Sequence, residues 1–474
     1  MEAAKFLVNG EWCGSEVTRP VVNPFTNKVV GEVCQASRPD IDRAIVAAVQ
    51  AFAKTRRLSS YDRATALLFI AREIGKEKER LARLITAETG KPIMFSRIEV
   101  DRCVYTFQTA SEEARRIEGT ILPLDVAPHS DNRIGLVKRF PLGPIAAITP
   151  FNFPLNLAAH KIGPALAAGN TVVLKPSSSA PLIALALADI IQKSGLPDGT
   201  INVVPCLGGE SDQLIVDERV KLLSFTGSPS VGWGMKERAG KKRVVLELGG
   251  NAGVIVDKDA DLDYALQRIV MGAYGNAGQS CIAVQRIFVH HSLFASFVDR
   301  FVGLSAAQPT GDPEDDRTVV GPMITEKAAQ KVEEWIGEAV AGGAKLLCGG
   351  KRRGAVMEPT VITDVRAEMK VCANEVFAPV ATVEPFAEFK QAIGMVNNSL
   401  YGLQAGVFTN SMSNVWHAFE ELEVGGVIVN DAPTYRMDHM PYGGVKDSGF
   451  GREGVRYAIE EMTELKLLGL NILP

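Results

Sequence analysis

The chain has 474 residues, of which 46% are hydrophobic and 22% charged, and its formal net charge is −4. A chain of this length exceeds what one hydrophobic core supports, so we expect two or three domains. The near balance of charge argues against a basic surface for nucleic acid or an anionic membrane, and it favours a small molecule as the partner.

The first quarter of the chain predicts short strands followed by helices. Residues 1–35 carry strand and turn patterns. Residues 39–117 repeat apolar positions every three to four residues, which predicts helices, with Asp40 as the cap of the first one.

From Gly143 onward, short apolar strands alternate with helices. The predicted strands are Pro144–Ile148, Thr171–Leu174, Ile201–Val204, Leu222–Phe225, Arg243–Glu247 and Gly253–Val256, and the predicted helices are Leu155–Ala168 and Pro181–Ser194. Continuously apolar strands that alternate with helices are typical of a parallel sheet covered on both faces. This α/β architecture is the one that hosts dinucleotides.

Two segments predict edge strands that pair with another subunit. A helix over Gly454–Met462 precedes an apolar strand over Glu464–Ile472. A second strand is predicted over Gly135–Phe140, and both would expose unpaired backbone groups.

The best candidate for a phosphate site is the segment 225–232. It follows a predicted strand and opens a helix, so backbone N–H groups and the helix dipole would face an anion. A G-x-G-x-x-G pattern at 449–454 follows a turn instead of a buried strand, and we therefore reject it as a dinucleotide fingerprint.

The use of cysteine indicates a reducing compartment. The seven cysteines are widely spaced without a Cys-x-x-Cys pair, which argues against a disulfide framework and a zinc site. None of the six histidines lies at ligand spacing from a cysteine, so we expect no metal. No apolar run reaches the ~18 residues of a membrane span, and the N-terminal residues lack a signal-peptide pattern. We therefore expect a cytoplasmic protein.

One cysteine and one glutamate lie on Gly-containing turns. Cys281 ends the segment Gly-Gln-Ser-Cys, and Glu247 begins the segment Glu-Leu-Gly-Gly. A reaction through a covalent thiol adduct and then a general base requires this pair. Taken singly, Cys281 also fits an inert packed thiol, and Glu247 also fits a solvated strand-end carboxylate. No obvious histidine base accompanies Cys281, which disfavours a protease-like Cys-His pair.

Five further segments complete a set that resembles the aldehyde dehydrogenase superfamily over nearly the full chain. The seven motifs, in family order, are PFNFP at 150–154, KPSS at 175–178, FTGS at 225–228, ELGG at 247–250, GQSC at 278–281, EVFAP at 375–379 and PYGGVK at 441–446. Within the superfamily the chain resembles most the lactaldehyde, succinate-semialdehyde and non-phosphorylating glyceraldehyde-phosphate dehydrogenase group, with phosphonoaldehyde enzymes as near relatives.

The resemblance implies three structural parts. Residues 1–117 and 141–248 would form a Rossmann-type cofactor domain with a parallel sheet, and residues 249–445 an α/β catalytic domain. Residues 118–140 and 446–474 would form a small β arm for oligomerisation into a homodimer or homotetramer.

The resemblance also implies how an aldehyde becomes a carboxylate with a nicotinamide cofactor. Cys281 would attack the aldehyde carbon as a thiolate. The side-chain amide of Asn152 and the backbone N–H of Cys281 would hold the resulting oxyanion. Glu247 would activate the water that hydrolyses the thioester. Without the resemblance, Asn152 in its Pro-rich turn fits local hydrogen bonding.

Nine residues are implied to contact the cofactor: Phe151, Lys175, Ser178, Gly227, Ser228, Gly232, Gly249, Glu375 and Phe377. Lys175 would reach the adenosine ribose and Ser228 the pyrophosphate. Glu375 would hold the nicotinamide ribose, with Phe377 packed beside it. Taken singly, Lys175 and Glu375 fit solvated charges, and Phe377 fits an ordinary core residue.

The third residue after Lys175 bears on the choice between NADP and NAD. In NAD-preferring relatives it is often a glutamate, which repels a 2′-phosphate, whereas here it is Ser178. We therefore expect NADP to be accepted and preferred, and the alternative is the use of both cofactors.

Arg102 and Arg436 resemble positions that meet the distal end of the substrate in enzymes for anionic aldehydes. A guanidinium suits a carboxylate or phosphate, although both residues also fit solvated surface arginines. Relatives that handle phosphate often carry arginine immediately before the nucleophile, where this chain has Ser280. We therefore expect a small hydroxy- or carboxy-aldehyde, such as lactaldehyde or succinate semialdehyde.

Two other functions stay open at this point. One is a CoA-acylating aldehyde dehydrogenase, a branch whose members typically lack the glutamate that is present here as Glu247. The other is a non-catalytic structural protein on the same fold. The intact Cys281 and Asn152 argue against the second.

Overall fold

The computed structural model describes residues 2–472, and Met1, Leu473 and Pro474 lie outside the described residues. The chain begins with four strands, β1 (Phe6–Val8), β2 (Glu11–Cys13), β3 (Thr18–Val22) and β4 (Val29–Cys34). Four helices follow, α1 (Arg38–Thr55), α2 (Ser60–Lys76), α3 (Lys78–Thr89) and α4 (Ile93–Ala114). The helical prediction for residues 39–117 is confirmed.

The predicted cap of α1 is wrong by three residues. The N-cap is Ser37, and Asp40 is the third residue of the helix. The Asp40 carboxylate accepts the Ser37 backbone N–H at 2.9 Å and the Ser37 hydroxyl at 2.6 Å. Both bonds run from Ser37 to Asp40, so Asp40 does stabilise the helix start, but from inside the first turn.

The middle of the chain forms the predicted alternation of strands and helices. Its elements are β5 (Thr120–Pro123), β6 (Arg133–Pro141), β7 (Pro144–Ile148), α5 (Asn156–Ala168), β8 (Thr171–Lys175), α6 (Pro181–Gln192), β9 (Ile201–Val203), α7 (Asp212–Val216), β10 (Leu222–Thr226), α8 (Pro229–Arg238) and β11 (Arg243–Glu247). Strands β7 to β11 are mutually parallel and lie in the order β9-β8-β7-β10-β11. Core clusters cover both faces of this sheet, as expected of an α/β fold.

The second half of the described chain contains all seven strands of the second large sheet, together with helices and with short strands that belong to other sheets. Its elements are β12 (Ala252–Val256), α9 (Leu262–Tyr274), β13 (Val284–His290), α10 (His291–Ala306), α11 (Glu326–Ala341), β14 (Lys345–Cys348), β15 (Arg352–Arg353), β16 (Val356–Met357), β17 (Thr360–Thr363), α12 (Lys370–Ala373), β18 (Val380–Phe386), α13 (Phe389–Asn397), β19 (Tyr401–Gly402), β20 (Gln404–Phe408), α14 (Met412–Glu421), β21 (Gly426–Val429), β22 (Val445–Lys446), β23 (Gly449–Phe450), α15 (Val455–Glu461) and β24 (Thr463–Asn471). The strand order is β14-β17-β18-β13-β12-β20-β21, and all neighbours except β14 and β17 are parallel.

A three-stranded antiparallel sheet, β24-β6-β5, is separate from the two larger sheets. The prediction of an edge strand over Gly135–Phe140 is wrong, because β6 is the central strand and pairs with β24 on one side and β5 on the other. Eight of the nine residues of β24 are exposed, and they include Leu465, Leu467, Leu468 and Leu470. An exposed apolar sheet of this kind is typical of a surface that another chain covers. Within residues 2–472, no helix is both long enough and apolar enough to cross a membrane.

The topology brings several loops to one place. The loops after β7, β10 and β11 leave the same carboxyl edge of the first sheet, where open α/β sheets bind ligands. The 3₁₀ turn Gly275–Gly278 lies before β13 of the second sheet and faces the same edge.

Candidate active site

A cavity of about 580 Å³ lies where the loops of the two sheets meet. Twelve of the fifteen residues predicted for the site line it: Arg102, Phe151, Asn152, Gly227, Ser228, Glu247, Gly249, Ser280, Cys281, Glu375, Phe377 and Arg436. The other three lie elsewhere. Ser178 lines a separate small crevice, Lys175 ends β8 nearby, and Gly232 packs inside α8 against Leu248.

The turn before Cys281 has an unusual backbone. Asn276, Ala277 and Gly278 all have positive φ, at 54°, 55° and 66°. A Cβ on Gly278 would lie 2.2 Å from the carbonyl oxygen of Ala378, so only glycine fits. The side chain of Gln279 accepts the Ile324 N–H at 2.8 Å and thereby anchors the turn. This packing presents Cys281 to the cavity.

The sulfur of Cys281 lies 3.1 Å from the hydroxyl oxygen of Tyr442. Burial raises the pKa of the Cys281 thiol to about 11, and the carboxyl groups of Glu375 and Glu247 add to that effect. The hydrogen bond to Tyr442 and the charge of Arg436 act in the opposite direction. The free protein therefore holds Cys281 mainly as a thiol at neutral pH, and any group that favours the anion matters to reactivity.

Two hydrogen-bond donors lie beside the sulfur. The side-chain Nδ2 of Asn152 donates one hydrogen to the carbonyl of Gln279 at 3.2 Å, which leaves its second hydrogen free. The backbone N–H of Cys281 has no backbone partner within residues 2–472. These two donors suit an oxygen that gains negative charge on a carbon bonded to sulfur.

Glu247 ends β11 and is only 3% exposed. Neither of its carboxyl oxygens has a hydrogen-bond partner in the described part of the chain. Burial and repulsion from Glu453 raise the pKa of Glu247 far above its ordinary value, and Arg436 only partly offsets them. A carboxyl group in this state is a strong base once it is ionised, which suits general-base catalysis.

The sequence analysis missed a buried ion pair beneath Glu247. The ammonium of Lys161 donates to Glu453 and to the Ser224 hydroxyl, both at 2.9 Å. Burial alone would raise the pKa of Glu453, but Lys161, His160 and Arg436 outweigh burial and lower it. Glu453 is therefore the ionised member of the two neighbouring carboxyls. One signal was available, because Lys161 lies in the mostly apolar helix α5, whose other polar residues are Asn156 and His160.

Arg102 is fixed by Asp438, another residue that the sequence analysis missed. The Arg102 Nη2 and Nε donate to the Asp438 carboxylate at 2.6 and 3.2 Å. His160 Nε2 lies 2.8 Å and Asn156 Nδ2 3.1 Å from the same carboxylate. Burial opposes the charge on Asp438, but His160 and Arg102 outweigh it, so the pKa is well below its ordinary value. Asp438 thus holds the buried His160 ring through one nitrogen, and the other, Nδ1, has no hydrogen-bond partner within residues 2–472.

Glu375 covers the glycine turn after β11. Its Oε1 accepts the Gly250 N–H at 2.9 Å, and a Cβ on Gly249 would lie 2.4 Å from its Oε2. Burial raises the pKa of Glu375 to about 7, although the Gly250 hydrogen bond lowers it. Phe377 has a φ of 54° and meets Phe151 edge-on, with ring centroids 6.0 Å apart.

The segment predicted to bind phosphate has the expected form. Ser228 is the N-cap of α8, yet its side chain caps no backbone group of the helix. The Thr226 hydroxyl is buried without a partner in the described chain. Free N–H groups and hydroxyls at a helix start suit a pyrophosphate, so the residues present fit a dinucleotide.

A second cation lies near Lys175. Arg19 of β3 lines the small crevice together with Ser178, Gln35 and Cys206. Burial lowers the pKa of Lys175, and the charge of Arg19 lowers it further. Within residues 2–472, no carboxylate lines this crevice. The sequence analysis missed Arg19, because it lies more than a hundred residues before the KPSS motif.

Within the described residues, no cluster of three or more histidine, cysteine, aspartate or glutamate side chains could hold a metal ion. A half-buried thiol near two free amide N–H groups and an unpaired carboxyl, next to a helix start that suits an anion, fits the class of dinucleotide-dependent oxidoreductases that work through a thioester. The chain belongs to the aldehyde dehydrogenase family, whose sequence profile matches residues 12–468. It is an NAD(P)-dependent aldehyde dehydrogenase.

Three similar proteins place the chain within this family. 3-Sulfolactaldehyde dehydrogenase of Priestia aryabhattai is 46% identical over 466 residues, which cover 98% of this chain and 97% of that protein. The crystal structure of aldehyde dehydrogenase 21 from Physcomitrella patens, in complex with the reaction product succinate, has a TM-score of 0.98 at 45% identity and covers 99% and 98% of the two chains. Glyceraldehyde-3-phosphate dehydrogenase of Methanocaldococcus jannaschii, complexed with NADP, has a TM-score of 0.92 at 40% identity and covers 96% and 99%.

Proposed function

We propose that this protein oxidises a small hydroxy- or carboxy-aldehyde, such as lactaldehyde or succinate semialdehyde, to its carboxylate with NADP preferred over NAD. The observation that carries the proposal is that Arg102 and Arg436, two of the three arginines lining the cavity that holds Cys281, keep N–H groups without a partner in the described chain; the third is Arg268, which pairs with Asp431. The reaction class follows from the family.

Each side chain has a defined task in this reaction. The Cys281 thiol releases its proton to solvent, the thiolate sulfur forms a bond to the aldehyde carbon, and the carbonyl electron pair moves to oxygen, where Asn152 and the Cys281 N–H stabilise it. A bound nicotinamide dinucleotide supplies the two-electron acceptor for the hydride on that carbon. Glu247 then removes a proton from water, which adds to the thioester and releases the carboxylate.

The two arginines differ in how they are held, and both retain free donors. Asp438 occupies the Nε and Nη2 of Arg102, and Nη1 has no side-chain partner in the described residues. Arg436 is 6% exposed, and its Nε is buried without a partner within residues 2–472. Free N–H groups of fixed guanidinium groups suit an anionic or hydroxylated substrate end. The similarity to a 3-sulfolactaldehyde dehydrogenase adds a sulfonate to the anions worth testing.

Replacement of Arg102 by glutamine is expected to discriminate against charged aldehydes. Since a hydrogen bond to a charged group is worth about 1.5–3 kcal/mol, kcat/KM for succinate semialdehyde should fall about 10- to 100-fold. For butanal, which lacks the carboxylate, we expect a change of less than about threefold. Initial rates of NADPH formation at 340 nm give both values.

The matched control is Arg97→Gln, which removes a guanidinium from the same helix but from a surface pair with Glu79. Arg97→Gln should leave kcat/KM for succinate semialdehyde and kcat/KM for butanal unchanged. If the parent enzyme instead showed its highest kcat/KM with long-chain alkyl or aromatic aldehydes, the proposed substrate class would be wrong.

The preference for NADP is supported by the charges around Ser178. Lys175 and Arg19 are cations near the uncharged Ser178. A 2′-phosphate placed there would be attracted by both cations and repelled by no carboxylate that lines the described crevice. Two unit charges ~4 Å apart at an effective dielectric near ~20 interact by about 4 kcal/mol. Solvent screening makes the interaction energy smaller than this in a crevice that is open to water.

Ser178→Glu is expected to raise KM for NADP about 30-fold or more and to change KM for NAD little, because only NADP places negative charge there. Ser179→Glu, which adds the same charge one residue away and outside the crevice, should affect neither cofactor strongly. Equal effects of Ser178→Glu on both cofactors, or a parent enzyme that uses only NAD, would contradict this placement of the adenosine ribose.

The remaining parts of the proposal concern assembly and location. We propose that the sheet β24-β6-β5, through its edge strand β24, assembles the protein into a homodimer or homotetramer, which the exposed leucines of β24 support. The cofactor domain at 1–117 and 141–248, the catalytic domain at 249–445, and the arm at 118–140 and 446–474 stay predictions. A cytoplasmic location is supported by free cysteines at all seven positions.

A further inference from the structure

We propose that Tyr442 is a catalytic residue whose hydroxyl donates a hydrogen bond to the sulfur of Cys281 whenever that sulfur carries negative charge. The inference rests on Cys281 being the nucleophile of the proposed function. It does not depend on which aldehyde is the substrate.

The contact between the two side chains is close and enclosed. The Tyr442 oxygen lies 3.1 Å from the Cys281 sulfur, and Tyr442 is 3% exposed. The ring packs in a small apolar cluster with Ile282 and Leu403, which shields the hydroxyl, whereas Cys281 is only half-buried and lines the cavity. A hydrogen bond shielded from water is stronger than one at the surface.

Two further contacts fix the position of the ring. The backbone of Tyr442 exchanges hydrogen bonds with Glu453, at 3.0 Å for the Tyr442 N–H and 2.7 Å for the Glu453 N–H. The guanidinium carbon of Arg436 lies 3.5 Å from the centroid of the Tyr442 ring, in cation–π contact. Tyr442 is thus held before any ligand arrives.

The direction of the hydrogen bond follows from the charges around the pair. Burial raises the pKa of the Tyr442 hydroxyl, and Cys281 and Glu247 raise it further, while Arg436 only partly offsets them. The hydroxyl therefore keeps its proton and donates. The sulfur also faces Glu375 and Glu247, which oppose its ionisation, and Arg436, which favours it. Tyr442 and Arg436 both lower the pKa of Cys281 and so stabilise the thiolate.

The sulfur carries negative charge twice in the reaction. Before acylation it is a thiolate, whose electron pair forms the bond to the aldehyde carbon. During hydrolysis the water oxygen adds to the thioester carbon, the carbon–sulfur bond breaks, and its electron pair returns to sulfur. The Tyr442 hydroxyl stabilises the departing thiolate in the second event, so its effect extends beyond the resting enzyme.

The test is the pH dependence of Cys281 alkylation in Tyr442→Phe, which keeps the ring and its contact with Arg436. The rate of carbamidomethylation by iodoacetamide, followed on the Cys281 peptide by mass spectrometry, reports the thiolate fraction without any turnover. We expect the midpoint of this titration to rise by roughly one pH unit and the rate at neutral pH to fall about tenfold. At high pH the parent and the variant should converge.

Tyr264→Phe, which changes an exposed tyrosine on α9, is the matched control and should titrate like the parent. Circular dichroism and NADPH binding establish that the Tyr442→Phe protein is folded. An unchanged midpoint in folded Tyr442→Phe would overturn the proposal. Failure of the proposed function gives a different result, namely turnover that survives Cys281→Ala.

Discussion

Glu247→Gln is expected to release about one NADPH per active site in a fast burst and then to turn over about 10²- to 10⁴-fold more slowly than the parent, the usual contribution of a general base. The glutamine cannot take a proton from water, but nothing in the attack by Cys281 requires the carboxyl. The acyl group should therefore accumulate on sulfur. Stopped-flow absorbance at 340 nm measures the burst, and intact-protein mass spectrometry measures the acyl adduct.

Two companion measurements separate hydrolysis from transfer to CoA. Cys281→Ala should give no burst, because no thioester can form. The parent should not be strongly stimulated by CoA, and acyl-CoA as the product would favour the acylating alternative. Steady turnover of Glu247→Gln at the parental rate without CoA would remove the general-base assignment.

The first parallel sheet could be predicted from sequence because its strands are continuous apolar runs. The predicted bounds of β7 and β11 agree with the structure, and those of α6 differ by two residues. The second sheet could be predicted only at β12. Strand β13 contains the buried Gln285 and Arg286, which break its apolar pattern. The Arg286 guanidinium donates to Asn251 and to carbonyls more than a hundred residues away in sequence, such as that of Val396.

In the candidate site too, some residues are marked by a local sequence motif and others are identified only by contacts between distant parts of the chain. Cys281 and Glu247 could be singled out because each lies next to a Gly-containing turn, whereas Asn152 was singled out only through the resemblance to the family. Lys161 and Glu453 could not be paired, because 292 residues separate them and each also fits a solvated surface. Side chains that support catalytic groups carry no motif of their own.

The second large effect is expected at Asn152. Asn152→Ala removes one of the two donors proposed for the developing oxyanion, and loss of one such donor typically costs about 10²- to 10³-fold in rate. Both acylation and thioester hydrolysis pass through a negatively charged oxygen, so both steps should slow. The measurement is the single-turnover rate of NADPH formation, followed by the steady-state kcat with the same aldehyde.

Asn152→Asp provides the sharper comparison, because it keeps the size of the side chain and replaces the free N–H by a carboxylate oxygen. A negative charge beside the oxyanion should lower the rate below that of Asn152→Ala. Binding of NADPH, measured by fluorescence, should stay near the parental value in both variants if the amide acts only on the reacting oxygen. A decrease of less than about fivefold in Asn152→Ala would show that the Cys281 N–H supplies most of the stabilisation, and the assignment of Asn152 would then be wrong.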